Sequence, residues 1–122
     1  MYACLQTINM ENNLVSSLVK MNSKMFISGN ANGEMRIWVS GKDGFFNCNQ
    51  TITKYQGKGH MDMITQLVRL NDAIFLSGSD DYNIKVWKRN STGGFIFLNS
   101  INLAVPIYSL IVNSLYYYYI IY

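Results

Sequence analysis

His60, Ser77 and Asp81 are the three residue types that cooperate in serine hydrolases, and this 122-residue chain carries all three within a short stretch. In that chemistry an imidazole takes the hydroxyl proton and a carboxylate holds the ring. A nucleophilic serine also needs an exposed oxygen and oxyanion donors, and no G-x-S-x-G turn is present. Ser77 therefore reads as a buried structural hydroxyl on a strand, and no catalytic residue is expected. Cys4 and Cys48 belong to no C-x-x-C pair, and the chain has one histidine, so a closed zinc site is not expected. Asp80-Asp81 lacks the remaining oxygen-ligand spacing of a calcium loop. The expectation is no metal and no cofactor. Trp38 and Trp87 read as strand packing rather than as a ligand-stacking platform.

The elements that must position these residues are strands. Apolar residues make up 49% of the chain, charged residues 14% and aromatics 14%, with a single proline. That is enough apolar material for a packed core and too little charge for a disordered tail. Aromatic and β-branched enrichment favours strands. Collagenous, proline-rich and coiled-coil classes are excluded. Ten basic against seven acidic side chains give a net charge of +3. The basic residues are scattered, only Lys88 and Arg89 being adjacent, whereas a nucleic-acid binder concentrates its charge. A solvated surface is the expectation. The first residues, MYACLQTINMENN, hold no basic region followed by a long apolar one, so no signal peptide is read. Two lone cysteines then fit a reducing compartment, cytoplasmic or nuclear.

Shifting the chain by 49 residues lays Asn13–Ser40 on Asp62–Arg89 without a gap. Seven of the 28 pairs are identical, among them Phe26/Phe75, Ser28/Ser77, Gly29/Gly78 and Trp38/Trp87. Each copy reads as four short strands. The first strands are Leu14–Val19 and Met63–Arg69. The second are Lys24–Ser28 and Ala73–Ser77, closed by Gly29 and Gly78. The third are Met35–Val39 and Ile84–Lys88, the latter alternating so that Lys85 and Trp87 share one side. Asn, Asp and Gly between the second and third strands mark tight turns. A longer polar loop leads to the fourth strands, Gln50–Tyr55 and Phe95–Asn99. Cys4–Ile8 resembles a fourth strand of a preceding unit. Ile107–Val112 resembles a first strand of a following one, Leu110 matching Leu67 at a spacing of 43, with Tyr116–Ile121 as its second strand.

Gly59-His60, Ser77-Gly78, Asp81 and Ile84-Lys85-Val86-Trp87 together resemble the WD-repeat β-propeller family. The resemblance covers roughly residues 3–112 and is stronger in SGSDDYNIKVW than in SGNANGEMRIW. It implies an all-β fold: a partial β-propeller of about two complete four-stranded antiparallel blades plus flanking strands. Residues 9–56 would form the first blade unit and 57–102 the second, with 1–8 and 103–122 supplying strands of neighbouring blades. It also implies a structural network of Trp87, Ser77, His60 and Asp81 in the second unit. The first unit keeps only Trp38 and Ser28, because Glu11 stands where the histidine would be and Asn32 where the aspartate would be. That blade is expected to be the looser one.

The function that the resemblance implies is a non-catalytic scaffold for protein–protein interaction. The candidate partner-binding face carries Met61, Asp62, Asp80 and Tyr82, with Asn12, Asn13, Ala31 and Gly33 from the weaker unit. Two other classes stay open. The uncharged segment 101–122 is long enough for a membrane span, although Asn102, Pro106, Ser109, Asn113 and Ser114 interrupt it. A single-strand nucleic-acid binder would use exposed Tyr and Lys, against which dispersed charge argues. Two units do not close a ring of about 4–8 blades. The chain is therefore expected to be part of a longer propeller, a truncated reading frame, or a subunit that closes a ring with other copies. Truncation is preferred on its tail LYYYYIIY.

Overall fold

The computed structural model describes residues 2–11, 13–107, 109–112 and 118–121, the last two stretches as backbone. Two four-stranded antiparallel sheets dominate it, and no helix occurs among the described residues. The first sheet consists of β1 (Val15–Asn22), β2 (Met25–Asn30), β3 (Met35–Ser40) and β4 (Phe46–Ile52), in that order across the sheet. The second repeats it with β5 (Ile64–Arg69), β6 (Ile74–Ser79), β7 (Asn83–Arg89) and β8 (Phe95–Asn102). A two-stranded antiparallel sheet follows, β9 (Ser109–Val112) with β10 (Tyr118–Ile121).

Register follows the expected repeat. Phe26 lies opposite Trp38 and Phe75 opposite Trp87, each pair stacked with ring centroids 6.0 Å apart. Several boundaries differ from expectation. The fourth strand of the first sheet starts at Phe46 and ends at Ile52, ahead of the expected Gln50–Tyr55. Gly41 to Gly44 make a compact turn, with the Gly41 N–H on the Phe45 carbonyl, so the strand begins once that turn closes. Gly29 and Gly78 lie inside β2 and β6 rather than closing them. Residues 4–8, expected as a fourth strand of a preceding unit, form no strand; they meet the first sheet through side chains instead, Gln6 bonding to Phe46. The β9–β10 pair occupies the place expected for the start of a following unit. Tyr116 and Tyr117 lie outside the described residues. No helix among the described residues is long and apolar enough to cross a membrane, and Ile101 and Asn102 belong to β8.

The core lies between the two sheets. Met21, Met25, Ile27, Met35, Ile37 and Ile52 of the first meet Ile64, Leu67, Phe75, Trp87 and Phe95 of the second. On the other side of the second sheet, Leu76 and Ile84 pack with Ile107. Burying such side chains contributes about 1.5–3 kcal/mol each. Gly29 is required where the sheets touch. A Cβ there would stand 2.6 Å from Ile64 side-chain carbon, a distance at which something must move.

Hydroxyl groups tie one sheet to the next. Ser16 Oγ donates to the Ile64 carbonyl at 2.5 Å, and the equivalent Thr65 hydroxyl donates to the Ile107 carbonyl. Ile107 thus stands to the second sheet as Ile64 stands to the first, at the spacing of 43 read from the sequence. Gln50 supplies a second tie. Its amide accepts the Phe95 N–H at 2.7 Å and donates to the Phe95 carbonyl at 2.8 Å. Gln6 does the same to Phe46, with both bonds at 2.9 Å.

Candidate functional site

The four residues of the expected network meet in the second sheet. Ser77 sits on β6 opposite Lys85 of β7, two residues from Trp87, so the indole reaches back over the ladder. Trp87 Nε1–H donates to Ser77 Oγ at 2.8 Å. His60 Nε2 lies 2.6 Å from the same oxygen, and His60 Nδ1 lies 2.9 Å from Asp81 Oδ2. An indole N–H only donates, and an ionised carboxylate only accepts. The hydroxyl proton of Ser77 therefore goes to Nε2, and the ring proton on Nδ1 goes to Asp81. Every member then has a partner. Trp87, His60 and Ser77 are fully buried.

Asp81 is the hub on the turn side. Its carboxylate also accepts the Met61 N–H at 2.9 Å and the Asn83 N–H at 2.9 Å. Burial by itself would raise this carboxyl. The hydrogen bond and charge interaction with His60, together with the two backbone N–H groups, outweigh it and hold Asp81 well below the usual carboxylate range. Lys85 joins the same region from β7, its ammonium donating to the Lys58 and Gly59 carbonyls at 2.8 and 3.2 Å. Burial, reinforced by nearby Lys58 and partly offset by Asp81, lowers its pKa.

The first sheet holds the reduced version. Trp38 Nε1–H donates to Ser28 Oγ at 2.9 Å. Glu11 is exposed, and Asn32 donates to Asn13 Oδ1 at 3.0 Å. Asn30 takes over the turn, its side-chain oxygen accepting the Asn32 and Glu34 N–H groups. Ser79, the equivalent residue in the second sheet, accepts the Asp81 N–H and donates to the Asp62 carbonyl. Sequence reasoning missed Asn30, Ser79, Lys85 and the Gln6 and Gln50 clasps. The glutamines had a signal: Cys4, Gln6, Thr7 and Ile8 recur as Cys48, Gln50, Thr51 and Ile52 at a spacing of 44.

The face beside this network carries the candidate partner-binding residues. Met61 is 67% and Tyr82 46% exposed. Asp62 is exposed and Asp80 half-buried. Tyr82 holds a left-handed φ of 74°, at the position where the first sheet has Gly33 with φ 83°. Gly33 itself does not join the exposed face. It is buried, and a Cβ there would meet the His60 carbonyl oxygen at 2.4 Å. Asn13 and Ala31 are half-buried, and Asn12 lies outside the described residues.

Comparisons place this architecture. No protein-family profile matches the chain, and no curated protein sequence does. Solved structures share its fold, among them the following two. The structure of U3-55K matches with a TM-score of 0.66 at 17% identity, over 82% of this chain and 32% of that one. The crystal structure of the RRP9 WD40 repeats matches with a TM-score of 0.67 at 17% identity, over the same shares. The fold is that of WD-repeat β-propeller blades, all-β and antiparallel, with the sheets not closed into a ring. The chain spans about a third of the length of the structures it matches.

Proposed function

We propose that the chain is a non-catalytic protein-interaction scaffold, one arc of a longer propeller, presenting the face formed by Met61, Asp62, Asp80 and Tyr82 to protein partners. The observation that carries this reading is the use made of Ser77. Its oxygen is fully buried and already engaged by Trp87 and His60, which leaves no approach for a substrate carbonyl. A bonded network of that kind holds loop and strands rigidly under an exposed rim. Exposed aromatic and methionine side chains beside a polar rim suit protein contact. The left-handed Tyr82 supports the same reading, because holding a bulky side chain there costs about 1 kcal/mol or more. Two free thiols, Cys4 and Cys48, accord with a cytoplasmic or nuclear setting. The uncovered side of the first blade, where Leu18 is 62% exposed, supports self-association through open blade edges as well.

A photo-crosslinking residue at position 82 tests the face. The protein it captures should bind the purified chain, and Met61→Ala with Tyr82→Ala should weaken that binding by about tenfold or more. Unchanged binding would remove the face from the reading. Labelling with a fluorophosphonate tests the absence of catalysis. Folded protein should resist it; stoichiometric labelling at Ser77, abolished by His60→Ala, would make the chain a hydrolase.

A further inference from the structure

A groove of about 330 Å³ opens where the two blades meet, at the end opposite the Tyr82 face. Asn22, Ser23, Lys24, Ser40 and Arg89 supply its polar lining. The strand ends hold these residues in place. The Ser40 N–H donates to the Lys24 carbonyl at 2.9 Å, and the Arg89 N–H donates to the Ala73 carbonyl at 2.7 Å. Among the described residues, the ion pairs are Arg36 with Glu34, His60 with Asp81 and Arg69 with Asp72. Neither Lys24 nor Arg89 takes part in them. No acidic side chain lines the groove. Two basic residues far apart in sequence, Lys24 and Arg89, thus meet at one inter-blade groove.

We propose that this groove binds the phosphate group of a phosphorylated serine or threonine on a protein partner. Arg89 and Lys24 provide the charged donors and the Ser23 hydroxyl a neutral one, while the Ser40 hydroxyl donates to the Gly41 carbonyl at 3.2 Å. A phosphate monoester carries roughly −1.5 to −2 charge and three acceptor oxygens. A guanidinium fork beside an ammonium matches one such group. No aromatic side chain lines the groove, so it offers no platform on which bases could stack. A single pair of cations also suits one phosphate better than a nucleic-acid backbone. The inference rests on the scaffold reading, since it names the chemistry of the partner.

Fluorescence anisotropy on the full chain decides it, with three probes. These are a degenerate pool of short peptides with a fixed phosphoserine, the same pool with unmodified serine, and an oligouridylate. The phosphorylated pool should bind at least about tenfold more tightly than the unmodified one. Arg89→Gln and Lys24→Gln should each abolish most of that preference. Both should melt as the parent does, because neither side chain hydrogen-bonds or ion-pairs with another of the described residues. Inorganic phosphate in excess should compete. Equal binding of the two peptide pools would overturn the proposal, as would a preference that survives Arg89→Gln. Oligouridylate binding weakened by the same substitutions would overturn it in favour of nucleic acid. Tyr82→Ala should leave the phosphate preference intact. Its effect on the captured partner tests the scaffold reading separately, so either reading can fail alone.

Discussion

At the scale of single residues, one hydroxyl decides how the second blade is locked. Ser77 accepts from Trp87 and donates to His60, and His60 in turn donates to Asp81. Removing His60 leaves buried polar groups without partners, a loss of about 1–3 kcal/mol. Glu11, at the equivalent position, is exposed and buries nothing. His60→Ala should therefore lower the melting temperature clearly and Glu11→Ala hardly at all; equal losses would break the assignment. Asp81 adds a pH dependence. Its carboxyl titrates lower in the folded chain than its unperturbed value of 3.8. The unfolded chain then binds the proton more readily, so folded stability falls as the pH drops below that value. Above it the contribution is fully present. Asp81→Asn should be less stable at neutral pH and show a flatter loss in acid, measured by denaturant unfolding across the acid range. These residues were legible in the sequence because their types and spacing carry the resemblance. Asn30, Ser79 and Lys85 were not, since a single polar residue near a turn has many partners available until the chain folds.

At the scale of elements, the inter-blade contact is set by close approach. Gly29 lies in β2 where Ile64 of β5 presses against the backbone. Gly29→Ala should cost about 1–3 kcal/mol through overpacking, read as a lower melting temperature. Gly44 offers the control: no atom lies within 4 Å of a Cβ built there, although its φ of 83° makes any substitution strained. The strands themselves followed from alternation and turn residues. The start of β4 did not, because GKDGFFN is polar and glycine-rich enough to read as a long loop. Only the bond between Gly41 and Phe45 shows how short that turn is.

At the scale of the whole molecule, equivalent positions report on what is covered. Leu67 is 3% exposed because the first blade packs on it, whereas the equivalent Leu18 is 62% exposed. Ile64 is fully buried and its counterpart Val15 is 36% exposed. A groove of about 900 Å³ runs between segment 3–10 and this face, lined by Leu5, Ile8, Leu18, Phe26 and Phe46 among others. An apolar sheet face of that kind associates in water. The isolated chain should therefore elute in size exclusion as oligomers, or be insoluble, and Leu18→Lys should shift it toward the monomer. A sharply melting monomer of 14.0 kDa would show that these surfaces are satisfied in another way.

The sequence by itself determined the repeat, the strands and the residues of the lock, because each is a local matter of residue type and spacing along one chain. The tertiary structure decided what depends on two blades meeting. It turned Gln6 and Gln50 into clasps and made Gly33 a buried contact. It also brought Lys24 and Arg89, far apart in the chain, to one groove. The physical reason is that a strand's period says which side chains share a face, while the twist and packing of neighbouring sheets settle which faces meet.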